Sequence, residues 1–346
     1  MKKKEIKSYN LEELGLIFES LGEKKFRSKQ VYEWIHQKGV VSFDEMTNVS
    51  RQLREKLSEE YEIRPVTMVE QRTSQKDGTS KFLFRLWDGK VIESVLMKYS
   101  HGNSVCISSQ VGCRMGCKFC ASTIGGLERN LEPAEMLSQI YEIQRISKER
   151  VSNVVVMGTG EPFDNFENLC KFIEMLTDEN GLHISQRNVV VSTCGLVPKI
   201  YELADRQFQI TLAISLHAPN DEIRQELMPI AKKYSIVEIM KACLYYYNKT
   251  GRRFTFEYSL CDGINDSEEN AKALSRLVKG MNCHINLIPI NPIKERKFKH
   301  SNLSNIQKFK LILEKNRINV TIRREMGSDI DAACGQLRKS YIDTIN

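Results

Sequence analysis

Three cysteines fall within eight residues of this sequence, in Cys113-Arg-Met-Gly-Cys117-Lys-Phe-Cys120. Thiolates at that spacing can wrap a short loop around one metal centre. A structural zinc site is normally closed by four protein ligands, and an electron-transfer [4Fe–4S] cluster by four cysteines. Three cysteines leave one iron open to bind and activate a small molecule. The competing reading is a zinc loop completed by a distant His or Cys. A second element follows at Gly158-Thr-Gly160-Glu161-Pro162. Its glycines permit close backbone approach, and the Glu161 carboxylate could accept hydrogen bonds from an α-ammonium group. Ser192-Thr193, Ser215-Leu216-His217 and Asn291 supply further polar groups. Each of these, taken singly, reads as a turn or cap residue more often than as a ligand.

The surrounding pattern places these groups. Strand-like runs at residues 153–158, 188–192, 209–216, 254–260, 284–290 and 318–323 alternate with helix-length amphipathic stretches. Regular βα alternation implies a parallel sheet, here a full or partial barrel with its chemistry at the C-terminal strand ends. The Gly158–Glu161 turn and the polar groups lie at or just past those ends. Residues 1–65 read as helical. Leu11, Leu14, Phe18 and Leu21 share one face, Gly22 stops that helix, and a second starts near Ser28 with Val31, Tyr32 and Ile35. Leu53 and Leu57 mark a third, and Arg64-Pro65 ends the unit. Runs at 82–87 and 91–97 bracket Asp88-Gly89, a hairpin turn signal. The expected organisation is a helical accessory domain, 1–65, and a catalytic domain, 66–346, extended by a β-hairpin.

Composition narrows the class. A length of 346 residues with 41% hydrophobic and 27% charged residues suits a folded enzyme with one large core. The longest apolar runs, 154–157 and 189–191, are too short to cross a bilayer. The start Met1-Lys-Lys-Lys-Glu-Ile lacks the apolar stretch of a signal peptide, so a cytoplasmic location is expected. The ten cysteines then read as reduced thiols and metal ligands. Cys170, Cys194, Cys243, Cys261 and Cys283 read as small buried hydrophobes. The formal charge of +7 permits a polyanionic partner. Lys294-Glu-Arg-Lys-Phe-Lys-His300, Arg252-Arg253 and Arg323-Arg324 together favour RNA. With no long apolar stripe left over, a monomer is expected.

The cysteine spacing, with an aromatic before the last Cys, resembles the signature of the radical S-adenosylmethionine (SAM) superfamily. There a [4Fe–4S] cluster cleaves the cofactor to a 5′-deoxyadenosyl radical, and the fold is a partial (β/α)6 TIM-like barrel. Two further cysteines narrow the resemblance: Cys106, in Cys106-Ile-Ser-Ser-Gln-Val-Gly-Cys113, and Cys334, in Gly327-Ser-Asp-Ile-Asp-Ala-Ala-Cys334-Gly-Gln-Leu337. With these, nearly the whole chain resembles the RlmN/Cfr family of RNA adenosine methyltransferases. The resemblance implies that two SAM molecules are consumed per methylation. One methylates Cys334; the other yields the radical that removes hydrogen from that methyl group. The carbon radical then adds to adenine, forming a protein–RNA adduct. Cys106 attacks the Cys334 sulfur, forms a transient disulfide and releases the methylated base.

By the same residue match Glu93 would remove the ring proton, a task suited to a carboxylate of raised pKa. Cys113, Cys117 and Cys120 would hold the cluster. Gly160, Glu161, Ser192, Ser215, Leu216, His217 and Asn291 would hold SAM. The implied substrate is 23S rRNA, with the adenosine beside the tRNA anticodon as a second target, and the implied reductant is a donor such as flavodoxin. Gly-Glu161-Pro162 and the Val111–Gly116 loop resemble the RlmN branch, which methylates adenine C2. Adenine C8 methylation by the Cfr branch, with antibiotic resistance, is the alternative.

Overall fold

The computed structural model describes residues 3–290 and 296–330. Asn10 starts helix α1, Leu11–Ser20. Its side chain accepts from the Glu13 N–H at 2.9 Å while the Glu13 carboxylate accepts from the Asn10 N–H at 2.8 Å. This reciprocal cap satisfies two donors that a helix start leaves open. Leu14 and Phe18 are fully buried, while Leu11 and Leu21 at the edge of the same face are only partly so. Helix α2, Lys25–His36, begins three residues before the expected start, and Ser28 donates to the Lys25 carbonyl inside it at 2.6 Å. Helix α3, Arg51–Glu60, buries Leu53 and Leu57. These helices pack into the same continuous core as the sheet. Buried Lys7 ties them together, donating to the Arg64 carbonyl at 2.6 Å and to Ser138 Oγ at 2.9 Å.

Ten strands form one open sheet in chain order. Strands β1 (Thr67–Thr73), β2 (Ser80–Arg85), β3 (Val91–Tyr99) and β4 (Gly102–Cys106) pair antiparallel. From β4 onward the pairing is parallel, through β5 (Val151–Val156), β6 (Val189–Thr193), β7 (Thr211–Ser215), β8 (Phe254–Leu260), β9 (Cys283–Pro289) and short β10 (Val320–Ile322). The six expected parallel runs are all present, and β4 adds a first. Its sequence Gly-Asn-Ser-Val-Cys carries little strand signal; pairing on both sides imposes the extended form. The Asp88-Gly89 turn joins β2 to β3, with Gly89 at φ +81. Helices α4 (Pro133–Ser147), α5 (Phe166–Thr177), α6 (Val197–Asp205), α7 (Asp221–Leu227), α8 (Ile236–Thr250), α9 (Glu268–Leu277) and α10 (Leu303–Lys315) supply the crossovers. The result is the expected α/β partial barrel, and its antiparallel extension continues the same sheet. Among the described residues no helix is long and apolar enough to cross a membrane.

Candidate active site

The cysteine loop leaves the sheet after β4. Residues Gln110–Gly112 and Leu127–Asn130 pair antiparallel and close its base. The Cys113 N–H donates to the Gly126 carbonyl at 2.9 Å. A Cβ on Gly112 would sit 2.0 Å from that carbonyl oxygen, so only glycine fits there. Thr123 Oγ1 donates to the carbonyls of Cys117 and Cys120, at 3.1 and 2.9 Å, and Lys118 N–H donates to the Leu227 carbonyl at 2.9 Å. The fixed loop turns Cys113, Cys117 and Cys120 into a cavity of about 260 Å³ at the C-terminal ends of the parallel strands.

Burial pushes the Cys113 thiol up to about 12, with Cys120 and Glu161 adding to the effect. The Cys117 thiol is also pushed up, first by burial and then by the neighbouring Cys120 and Cys113. Three crowded thiols that oppose one another's ionisation need a bound cation to persist as thiolates. The three loop cysteines fit the three protein ligands of a [4Fe–4S] cluster, in which each thiolate binds a different iron and one iron stays open.

Gly160, Glu161, Ser192, Ser215 and His217 line the same cavity. Gly160 has φ +114, and a Cβ there would lie 2.7 Å from Gln110 Cβ. Both Glu161 oxygens accept backbone hydrogen bonds, Oε1 from Phe163 at 3.0 Å and Oε2 from Cys194 at 2.7 Å. Burial raises its pKa against these bonds. Glu161 thus braces its turn against the residue 194 loop as well as facing the cavity. Ser192 Oγ and Ser215 Oγ lie 3.4 Å apart. His217 Nδ1 accepts from the Ser259 N–H at 2.9 Å, which assigns its proton to Nε2 in the neutral ring. Burial, aided by Arg224, lowers its pKa to about 3 and keeps it neutral. The Leu216 side chain is wholly buried and is not among the cavity-lining residues. Asn291 and Cys334 lie outside the described residues.

A second cavity of about 230 Å³ adjoins the first, sharing Met157, Gly158, Ile288 and Arg323 with it. Glu93 and Cys106, thirteen residues apart, both line it. Their meeting follows from the antiparallel register of β3 and β4, which sets Cys106 opposite Val95, two residues along from Glu93 on the same sheet face. Glu93 is 3% exposed and pairs with the buried Lys81 ammonium at 3.3 Å. Burial pushes the Cys106 thiol up, opposed by Arg323. Cys106 is a free thiol, and no disulfide is found among the described residues, so the expected disulfide is not supported.

Residues 4–63 match the ribosomal RNA large subunit methyltransferase N-terminal domain, and residues 107–274 match the radical SAM superfamily. A probable dual-specificity RNA methyltransferase RlmN of Lachnoclostridium phytofermentans is 64% identical over 339 residues, 98% of this chain and 95% of that protein. Its counterpart in Lachnospira eligens is 64% identical over 99% of this chain and 98% of its own length. The chain belongs to the RlmN family of radical SAM RNA methyltransferases. A crystal structure of a radical SAM methyltransferase from Sphaerobacter thermophilus, 42% identical, superposes with a TM-score of 0.91 over 96% of this chain and 98% of that one. Membership implies a [4Fe–4S] cluster and SAM.

Several site residues of this RlmN family member carried no motif. Lys81 sits in a strand buried at five of its six positions, and Glu257 interrupts the apolar run Phe-Thr-Phe-Glu-Tyr-Ser-Leu of β8. A charge inside a buried strand was the available signal. Glu257 lines the first cavity and accepts from Asn286 Nδ2 at 2.8 Å. Arg224, fully buried on α7, donates to the carbonyls of Cys194 at 2.7 Å, Leu216 at 3.2 Å and Ser215 at 3.3 Å. It therefore joins the loops after β6 and β7. All five cysteines expected to be small buried residues are buried, but Cys194 also lines the first cavity.

The basic groups divide. Arg323 and Arg324 line the second cavity. Arg252 donates to the Ile210 carbonyl and to Thr211 at the opposite, N-terminal strand ends. Of the 294–300 cluster, residues 296–300 are described; Phe298 stacks edge-on against Phe119 of the cysteine loop, with ring centroids 6.5 Å apart.

Proposed function

We propose that this chain methylates C2 of adenine in 23S rRNA and in tRNA. The observation that carries the reading is the pair of adjoining cavities, one lined by the three cluster cysteines and the SAM-facing groups, the other by Glu93 and Cys106. Cys113, Cys117 and Cys120 would hold a [4Fe–4S] cluster, which with SAM bound would supply a 5′-deoxyadenosyl radical.

The chain's own groups complete the work. Gly160, Glu161, Ser192, Ser215 and His217, with Asn291, hold and orient SAM. Cys334 carries the methyl group. Glu93 takes the proton lost from C2, and its pairing with Lys81 fixes the carboxylate at the cavity wall. Cys106 faces the same space and resolves the adduct. Arg323 borders both cavities, where its charge favours a phosphate-bearing substrate. At least one of the helical region and the 294–300 segment adds RNA contacts. One electron per radical comes from a flavodoxin-type donor, and the enzyme works as a cytoplasmic monomer.

The test is anaerobic incubation of reconstituted enzyme with an adenosine-containing rRNA or tRNA fragment, deuteriomethyl SAM and reductant, read by mass spectrometry. The expected product is 2-methyladenosine with a CD2H group, two deuteriums retained and one hydrogen gained from adenine. An 8-methyl product would reassign the chain to C8 chemistry. 5′-Deoxyadenosine without a methylated base would refute the RNA substrate.

A further inference from the structure

The turn joining β1 to β2, Ser74-Gln-Lys-Asp-Gly-Thr79, is built by two of its own side chains. Ser74 Oγ accepts from the N–H groups of Lys76 and Asp77, at 3.1 and 3.3 Å. Asp77 Oδ1 accepts from the Thr79 N–H at 3.0 Å. Both side chains also reach a segment some 250 residues away. Asp77 Oδ2 accepts from the Gly327 N–H at 2.9 Å. Ser74 Oγ donates to Asp329 Oδ1 at 2.6 Å, and the Gln75 N–H donates to Asp329 Oδ2 at 3.1 Å. Lys76 Nζ donates to Ser328 Oγ at 3.1 Å. Each partner lends one aspartate to the other's hydrogen-bond donors. Ser74 is 3% exposed, so its bonds are shielded from water. The β2–β3 turn is held differently, by Asp88, which accepts from Arg129 Nε at 2.7 Å.

The position of this contact along the chain gives it a consequence. Residues 323–326, immediately before the clasped segment, line the cavity that holds Glu93 and Cys106. Cys334 follows Ile330 by four residues, so their Cα atoms are separated by at most about 14 Å. The clasp therefore fixes the point from which the chain sets out for Cys334. Within the described residues 323–330, the other backbone tether to the sheet is the Arg323 N–H bond to the Leu287 carbonyl, at the end of the β9–β10 pairing.

We infer that the 74–79 turn is a clamp that positions the methyl-carrying Cys334, with Ser74, Asp77 and Asp329 as its positioning residues. The inference rests on the reading of Cys334 as the methyl carrier. That sulfur has two tasks at the SAM site. It displaces a methyl group from SAM, losing its thiol proton and releasing S-adenosylhomocysteine; its S-methyl group then gives one hydrogen atom to the 5′-deoxyadenosyl radical. Both steps depend on placement within about an ångström, and misplacement of that size costs on the order of a hundredfold in rate. A loosened clamp should leave SAM binding intact while weakening both steps at Cys334.

The experiment uses holoenzyme carrying Ser74→Ala, Asp77→Asn or both, with Ser74→Thr as the variant that keeps the hydroxyl. Four quantities are read: Cys334 S-methylation by peptide mass spectrometry, the ratio of 5′-deoxyadenosine to methylated adenine, SAM affinity, and amide hydrogen exchange at residues 327–330. In the double variant, exchange at 327–330 should rise and S-methylation should fall roughly tenfold or more. The deoxyadenosine ratio should rise, SAM affinity should stay within about twofold of wild type, and Ser74→Thr should behave as wild type. Faster exchange with unchanged S-methylation and coupling would overturn the clamp. So would unchanged exchange in both single variants and the double. If the double variant loses its cluster, Ser74→Ala decides alone, because the Ser74 N–H bond to the Thr79 carbonyl at 2.8 Å still closes its turn. Cys334→Ala separates the two levels. If it still methylates RNA, the carrier reading has failed; if it is inactive while the clamp variants match wild type, only the clamp has.

Discussion

Replacing Gly160 by alanine should damage this protein more than replacing an equally left-handed glycine with open surroundings. Gly160 has φ +114 and Gly89 has φ +81. Both substitutions carry the conformational cost of a Cβ in that region, about 1–2 kcal/mol. At Gly89 no atom lies within 4 Å of the added carbon. At Gly160 the carbon would fall 2.7 Å from Gln110 Cβ, 2.8 Å from the Gln110 nitrogen and 2.8 Å from Ser109 Oγ. Relieving that overlap moves the strand at the base of the cysteine loop, adding about 1–3 kcal/mol of overpacking. The same motion strains the bond from the Glu161 N–H to Gln110 Oε1, now 2.8 Å. Gly160→Ala should thus lose about 2–5 kcal/mol against about 1–2 for Gly89→Ala, and SAM affinity should fall at least about tenfold in the former alone. Denaturant unfolding and SAM titration of the anaerobically purified enzymes provide the assay. Equal stabilities, with wild-type SAM affinity in Gly160→Ala, would refute the argument that close approach at this turn builds the cofactor site.

Glu161→Gln should cost about 1–3 kcal/mol, because the new amide sets a donor against the Phe163 or Cys194 N–H; an unchanged urea midpoint would contradict this. Cys106→Ala should keep iron content and SAM affinity but accumulate a covalent protein–RNA species on a denaturing gel, while clean turnover would remove Cys106 from the reaction. Burial, with a contribution from Lys7, lowers His36 to about 3. A histidine depressed in the folded state lends its full stability above its unfolded value, near 6.5, and loses it as pH falls toward 3. Its share of the loss between pH 6.5 and 5 is about 1.6 kcal/mol. His36→Gln should therefore show a flatter fall in stability across that window, and identical slopes would count against it. Cys117→Ala should abolish bound iron and sulfide on metal analysis; retained zinc at wild-type stoichiometry would reverse the cluster assignment.

Much of the catalytic half could be read before any coordinates. The cysteine loop is local: spacing within eight residues sets which thiols share a centre. Ser192, Ser215 and His217 were placed by strand-end logic, because a parallel strand delivers its last residues to one rim. Leu216, just past the end of β7, is wholly buried. Glu161 carried its charge where expected, but its commitment to two backbone N–H groups depends on the loop after β6 packing beside it.

Local pattern was enough for the parallel architecture and for three thiols sharing one centre, because the period of hydrophobic residues and the spacing of thiols act over a few residues; the cluster and SAM were implied by the resemblance those motifs carry. Tertiary structure decided which distant groups meet. The register of β3 against β4 brought Glu93 and Cys106 to one cavity, the packing of β2 beside β3 set Lys81 against Glu93, and Arg224 reached across two loops to their carbonyls. The clasp between the 74–79 turn and Asp329 spans some 250 residues. No local pattern encodes such pairings, because a hydrogen bond is specified by the final positions of both partners, and those exist only once the sheet has formed.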